Sequence, residues 1–236
     1  MTEQDDLDAQ VRDADPDRWL ASRFIGDADA RADVVALYAF NNELARAPLV
    51  ASQPLVAEMR LAWWREALAE IFEGRPVRGH PVAGALATLA GRRQVTREAL
   101  EALVDARLRD LDGWPLTAGE ALDYVDATAG RLMGLAARVL SPDATQDQVV
   151  QAGRAWGLSG LFRLGDRLPS DWSRQEVRRR VAEACALAGP QLRQLSVAAF
   201  PAVAYATLSR AYANGARASE LGRRARMTIA VAMGRI

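Results

Sequence analysis

The chain has 236 residues, and its 30 basic residues, all of them arginine, balance 30 acidic residues to a formal net charge of zero. This balance offers no basic surface to a nucleic acid, and a single cysteine, Cys185, excludes an internal disulfide and a cysteine-based zinc site. With no run of 18 apolar residues and a polar, acidic start, we expect a cytoplasmic protein, and a peripheral contact at the inner membrane stays open.

The apolar pattern is helical almost throughout the chain, without the alternation that is typical of strands. We expect roughly nine or ten helices in a single domain at residues 16–236, behind a flexible tail at residues 1–15. The first long helix carries an apolar stripe with the i, i+3, i+4, i+7 spacing of one helix face: Val34, Leu37, Tyr38, Asn41, Leu44 and Ala45. Pro48 is predicted to end this helix.

Start and stop signals place the later helices. One helix is predicted from Ser52 to Phe72 and another from Thr96 to about Gly113. Capping boxes, in which a hydroxyl caps the first turn and a side chain three residues later reaches back, predict three more starts: Thr117 with Glu120, Thr145 with Gln148, and Ser173 with Glu176. Pro190, Pro201 and Gly215 are expected to divide the last third of the chain into three shorter helices.

The segment from Tyr38 to Arg46 reads Tyr-Ala-Phe-Asn-Asn-Glu-Leu-Ala-Arg and resembles the helix on which squalene and phytoene synthases carry their first aspartate-rich motif. Five further segments are similar to the same family in the same order, within about residues 17–170: residues 17–21, 61–68, 79–82, 104–111 and 124–134. The resemblance implies an all-α fold, a single-domain isoprenoid-synthase-type helical bundle around a central cavity.

The aspartates of that family are missing from this chain. On the family's pattern, the acidic positions of the first motif fall on Ala45, Arg46 and Leu49, and the metal-binding aspartate of the second falls on Leu164. Mg²⁺ is a hard ion that carboxylates and substrate phosphates hold, and an apolar side chain or a guanidinium cannot replace them. We therefore expect no cofactor, with Mg²⁺ only if the chain is a synthase after all, because the single displaced carboxylate of Asp166 does not replace a cluster.

Nine residues are candidates for lining the cavity or contacting a ligand, and no catalytic or metal-binding residue is assigned: Tyr38, Asn41, Ala45, Arg46, Arg107, Asp110, Tyr124, Arg131 and Arg163. Two interpretations of Asn41 stay open, a polar group facing the cavity and a buried amide that bonds a neighbouring helix. Arg46 and Arg163 either hold an anionic head group or are solvated or ion-paired. Asp105 and Asp110 are either weak metal candidates or an exposed, helix-charging pair with Arg107 and Arg109.

Within the family, residues 40–45 and 199–202 resemble the branch of the mitochondrial complex I assembly factor that has a phytoene-synthase-like fold. Three hypotheses follow. The first is a non-catalytic assembly protein with a residual lipid-binding cavity and with respiratory complex I subunits or assembly proteins as partners. The second is an isoprenyl diphosphate transferase with an altered metal site, and the third is an isoprenoid or quinone carrier. Of the adjacent Trp63 and Trp64, one is expected in the core and the other at an interface or as a membrane-surface anchor.

Overall fold

The computed structural model describes residues 3–50, 53–216 and 218–236, and none of these residues lies in a strand. The all-α prediction is therefore confirmed for the described part of the chain, where twelve α-helices exceed the nine or ten expected. The chain divides into two compact units, which we call the N-terminal unit (Met1–Asp112) and the C-terminal unit (Gly113–Ile236). The single domain at residues 16–236 stays a prediction.

The N-terminal unit is built around one long central helix. That helix, α3, contacts five other helices of the unit, and its buried side chains include Val34, Leu37 and Leu44 of the predicted apolar stripe. The helices are α1 (Glu3–Ala14), α2 (Pro16–Ser22), α3 (Ala28–Val50), α4 (Pro54–Phe72), α5 (Pro81–Arg92) and α6 (Arg97–Leu108), followed by a 3₁₀ turn at Arg109–Leu111.

The flexible tail predicted at residues 1–15 is wrong for residues 3–14, which form α1. Leu7 and Val11, four residues apart, are buried, and α1 packs on α2, α3 and α5. The indole Nε1 of Trp19 also donates to Asp8 at 2.8 Å. The helix was missed because most of its residues are polar. Its buried face has only two apolar residues, too few to show a helical periodicity. Met1 and Thr2 lie outside the described residues.

Two prolines that were expected to end helices lie inside α-helices, and a third, Pro201, lies inside the 3₁₀ helix Val197–Ala202. Pro48 is within α3, which runs to Val50, and Pro190 is within the helix Arg174–Leu192. Proline cannot donate a backbone hydrogen bond and crowds the preceding turn. So close to a C-terminus this disrupts only the last turn, and the helix continues for two further residues. The predicted start at Ser52 lies outside the described residues, and α4 begins at Pro54, where proline's missing N–H has no intrahelical role.

The C-terminal unit contains the remaining helices, with α9 at its centre. They are α7 (Ala118–Val125), a π-helical segment (Asp126–Gly130), α8 (Arg131–Leu140), α9 (Gln146–Leu164), α10 (Arg174–Leu192), two 3₁₀ helices (Val197–Ala202 and Ala204–Leu208), α11 (Ser209–Ala213) and α12 (Glu220–Met233). Helix α9 packs on α10, α11 and the π-helical segment. Its Gly153 lies so close to that segment that a Cβ atom would come within 2.6 Å of the Cα of Gly130.

Two of the three predicted capping boxes form as expected. Thr117 with Glu120 starts α7, and Thr145 with Gln148 starts α9. The third is half formed: the hydroxyl of Ser173 accepts from the backbone N–H of Glu176 at the start of α10, but the Glu176 carboxylate bonds to Arg179 and Arg180 instead. Guanidinium groups one turn away provide charged donors, which form stronger hydrogen bonds than a neutral backbone N–H does.

Candidate functional site

A polar cluster in the N-terminal unit joins α3 to the end of α6. The Arg107 guanidinium donates to the Asn41 side-chain oxygen at 3.0 Å and lies 3.4 Å from the Asp110 carboxylate. The Asp110 side chain is only 2% exposed and that of Arg107 is 14% exposed. The cluster arises because α6 turns into the 3₁₀ segment after Leu108, which brings Asp110 back toward Arg107.

This geometry corrects one sequence interpretation and informs another. Asp110 is not half of an exposed pair with Asp105, because only Asp105 is exposed, bonded to the Arg65 side chain of α4 at 2.9 Å. Asn41 makes the helix-to-helix bond that a buried amide requires. The buried Asp110 carboxylate lies against a cation of its own chain, so it is not presented to a metal ion.

The positions that the resemblance assigns to the first metal motif carry no carboxylate. Ala45 is half-buried, Arg46 is exposed with its guanidinium 3.8 Å from Glu43, and Leu49 is 71% exposed. At the second motif, Leu164 is 59% exposed and Asp166 is an isolated exposed carboxylate. Across residues 3–50, 53–216 and 218–236, no three His, Cys, Asp or Glu side chains are grouped so as to hold a metal ion.

Arg46 faces a different feature from the one the sequence predicted. It lies at the edge of a pocket of about 470 Å³ between α3, α4 and the start of α5, which we call the tryptophan pocket. Five apolar residues line it: Ala47, Val56, Met59, Trp63 and Trp64. Glu43, Arg60 and His80 complete the lining with Arg46. Trp64 is buried, as expected for one member of the pair, and Trp63 is half-buried.

Only indirect signals of the tryptophan pocket are present in the sequence. The Trp63–Trp64 pair and the His80–Pro81 turn were both visible, but they are separated by 15 or more residues of chain. Only the packing of α4 against the start of α5 places the His80 ring 5.1 Å from the Trp64 ring and 5.5 Å from the Trp63 ring. Tyr38, in contrast, is a core residue with the Arg18 guanidinium 5.9 Å from its ring centroid.

In the C-terminal unit, the three predicted residues lie in different environments. Tyr124 is buried with its ring edge-on to Trp114 at 5.2 Å, as expected for a core tyrosine. Arg131 is exposed at the start of α8. Arg163 is exposed and stacks 4.5 Å from the ring of Tyr212. The structure thus groups Asn41, Arg107 and Asp110, whereas a shared cavity for all nine candidates stays a prediction.

The helical fold is that of isoprenoid synthases. A solved dehydrosqualene synthase aligns with 98% of this chain and 95% of its own, with a TM-score of 0.76 and 14% identity. The squalene synthase HpnC from Alicyclobacillus acidocaldarius aligns with 98% of this chain and 94% of its own, with a TM-score of 0.71 and 14% identity. At this identity the likeness shows the fold alone.

The sequence defines the family more closely. The squalene/phytoene synthase family model matches residues 11–177, well over half of the chain. The chain therefore belongs to the squalene/phytoene synthase family.

The mammalian relatives are named as assembly factors of complex I and not as synthases. The chain is 29% identical over 170 residues to NADH dehydrogenase (ubiquinone) complex I, assembly factor 6, of Homo sapiens, and the Rattus norvegicus protein gives the same identity and length. The alignment covers 71% of this chain and 50% of each relative, so the chain spans about half the length of the curated relatives it matches. None of the helices in the described part of the chain is long and apolar enough to cross a membrane.

Proposed function

We propose that this chain is a non-catalytic member of the squalene/phytoene synthase family that acts in the assembly of respiratory complex I. The observation that carries the proposal is the composition of α3, where Ala45, Arg46 and Leu49 stand at the positions of the metal-binding aspartates. Similarity to complex I assembly factor 6 supports the assembly role.

The chemical argument concerns the diphosphate leaving group. Its ionisation leaves a concentrated negative charge, and metal ions normally stabilise that charge in the transition state. Here the exposed side chains at the first motif supply one guanidinium and no carboxylate. The buried carboxylate of Asp110 already compensates Arg107. A chain with this arrangement retains the fold of a synthase without a means of holding Mg²⁺.

The proposed location is cytoplasmic, with peripheral contact at the inner membrane, where subunits or assembly proteins of complex I would be the partners. The proposal keeps a residual lipid-binding cavity lined by the candidates on α3, such as Tyr38 and Asn41, with an isoprenoid or lipid as its ligand. Exposed apolar side chains on a protein that contacts a membrane complex commonly mark its interaction surface. Leu49, Leu55 and Met59, all more than 60% exposed, are the first candidates in the N-terminal unit.

Deletion of the gene in the native host should lower the amount of assembled NADH:quinone oxidoreductase while squalene, carotenoid and hopanoid levels stay unchanged. The reason is that an assembly protein is required for the complex, whereas a chain without metal ligands makes no isoprenoid. Blue native electrophoresis with an NADH dehydrogenase stain measures the first quantity, and lipid extraction with mass spectrometry measures the second. Wild-type protein expressed from a plasmid should restore the complex. Loss of one isoprenoid with normal complex I would reject the assembly role.

The alternative is an isoprenyl diphosphate transferase with an altered metal site, which the shared fold with solved synthases favours. It predicts Mg²⁺-dependent release of diphosphate from farnesyl or geranylgeranyl diphosphate. We expect the purified chain to release no diphosphate above the enzyme-free background, with a family member that keeps both aspartate motifs as the positive control. Turnover that EDTA abolishes would establish the transferase and refute the non-catalytic proposal.

A further inference from the structure

We propose that the tryptophan pocket binds a free, single-chain amphiphile that carries an anionic head group. The pocket volume of about 470 Å³ lies within the range of small-ligand sites and suits one chain rather than a bilayer surface. The pocket belongs to the N-terminal unit alone. The inference concerns this chain's own aromatic site and does not depend on a role in complex I assembly.

The pocket is separate from the predicted cavity stripe on α3. Its α3 residues are Glu43, Arg46 and Ala47, which are three and four positions apart and so share one face. The predicted cavity residues Asn41 and Ala45 share another face, on which Asn41 bonds Arg107. A ligand in the tryptophan pocket therefore lies on a different face of α3 from Asn41 and Ala45, and Arg46 is the one motif position among the residues that line the pocket.

The apolar wall is held in place before any ligand binds. The rings of Trp63 and Trp64 meet edge to face at 4.9 Å, and Trp64 also packs edge to face on Phe40 at 5.1 Å. On Trp63, the guanidinium of Arg78 lies 5.1 Å from the ring centroid. Rigid rings give a large apolar contact area at little cost in conformational entropy.

Arg78 is itself fixed by two carboxylates of α4. It bonds Glu70 at 2.8 Å and Glu66 at 2.8 Å, and its hydrogen bonds lower the pKa of Glu70 below the ordinary value. Its charge is thereby compensated within the chain. Arg78 therefore serves to support Trp63, and a ligand's charge must be met by other groups.

Two groups at the pocket can meet an anionic head. Arg60 has no ion pair with any residue that the structure describes, and it lines the pocket. The Nδ1 atom of His80 accepts from the backbone N–H of Val82 at 3.2 Å, which places the proton of the neutral ring on Nε2. Within the described ranges, Nε2 has no hydrogen-bond partner, so it can donate to the ligand. The guanidinium groups of Arg46 and Arg60 exceed the single carboxylate of Glu43 by one positive charge.

Exposed apolar side chains beside the pocket can contact the alkyl chain of the amphiphile. Met59 lines the pocket and is 64% exposed, and Leu55, one turn earlier on α4, is 61% exposed. Exposed apolar area removed from water by a ligand favours binding in proportion to that area. An alkyl chain that runs from Trp63 past Met59 would cover this surface while the head stays near Arg60.

Binding of decanoate to the full chain, measured by displacement of the fluorescent fatty acid 11-(dansylamino)undecanoate, tests the proposal. We expect Trp63→Ala to weaken decanoate binding by about tenfold, because it removes the largest apolar contact of the half-open wall. Met59→Glu should weaken it by about fivefold with little risk to folding, since the side chain is exposed and glutamate favours helices. Trp172→Ala, which removes a half-buried tryptophan of the other unit, is the matched control and should leave binding unchanged.

The head group is tested with Arg60→Glu and with decan-1-ol, which has the same chain without the charge. Arg60→Glu should weaken the binding of decanoate by about fivefold and leave the binding of decanol unchanged. The control Arg226→Glu, which reverses the charge of an exposed arginine of α12, should change neither affinity. Equal affinity for decanoate and decanol would remove the anionic head from the proposal. Absence of decanoate binding, or binding that Trp63→Ala and Met59→Glu both leave intact, would overturn the proposal. Binding only to phosphatidylglycerol vesicles would likewise overturn it in favour of a membrane contact.

Discussion

Replacing Gly153 by alanine should lower the free energy of unfolding by about 2 kcal/mol. A methyl group there would come within 2.6 Å of the Cα of Gly130, which belongs to the backbone of the π-helical segment and cannot rotate away. Overpacking costs about 1–3 kcal/mol, and a clash with backbone atoms lies at the upper end of that range. After subtracting the gain of about 1 kcal/mol that alanine brings to a helix interior, a loss of about 2 kcal/mol remains. The close approach of α9 to the π-helical segment therefore requires glycine, which has no Cβ atom, at position 153.

Gly160→Ala is the matched control, because it makes the same chemical change in the same helix where no atom lies within 4 Å of the new methyl group. It should raise the free energy of unfolding by about 0.5–1 kcal/mol through helix propensity alone. Urea unfolding followed by circular dichroism measures both variants. If both substitutions change stability with the same sign, the backbone of α9 and the π-helical segment does not pack as closely as described.

Arg107→Met should lower the free energy of unfolding by about 3 kcal/mol. Methionine preserves much of the apolar stem but removes the guanidinium that lies against the buried Asp110 carboxylate and bonds Asn41. Removing one partner of a buried ion pair leaves a charge in a poorly solvated site, which costs about 3–5 kcal/mol when burial is complete. Because the Arg107 side chain is 14% exposed, we expect a loss of stability at the lower end of this range.

The comparison variant is Arg65→Met, which breaks an exposed arginine–aspartate pair between α4 and α6 of the same unit. Arg65 and Asp105 are about half exposed, so their ion pair contributes at most about 1 kcal/mol. Differential scanning calorimetry should show a clear fall in Tm for Arg107→Met and a small change for Arg65→Met. Similar falls for both variants would contradict the assignment of Asp110 as a buried, charge-compensated carboxylate.

The contacts that α3 makes also bear on function. A synthase would use α3 to present carboxylates, whereas here α3 supplies Asn41 to an internal bond and Arg46 to the edge of an aromatic pocket. The candidate residues on α3 thus contribute to packing and to the pocket that we propose as a ligand site. This division is consistent with the proposed assembly role, which requires a stable fold and an interaction surface rather than a metal centre.

Some features were predictable because their physical cause is local in the chain. The caps at Thr117 and Thr145 were found because a side chain and a backbone N–H three residues away are neighbours in any helix. The burial of Val34, Leu37 and Leu44 followed from helical spacing. Pro48 was misjudged because the cost of a proline depends on how many turns of helix follow it, and packing of α3 against neighbouring helices decided that number.

The sequence by itself determined the helical class, several of the helix starts and the family, since these depend on spacing and on motifs that are read along the chain. Only the tertiary structure decided that Arg107 reaches Asn41 across 66 positions and that His80 lies against Trp64. It also decided that α1 is ordered, through two buried residues in a polar segment. Such contacts join side chains that are distant in sequence, and their partners are set by how helices pack, which a one-dimensional pattern does not specify.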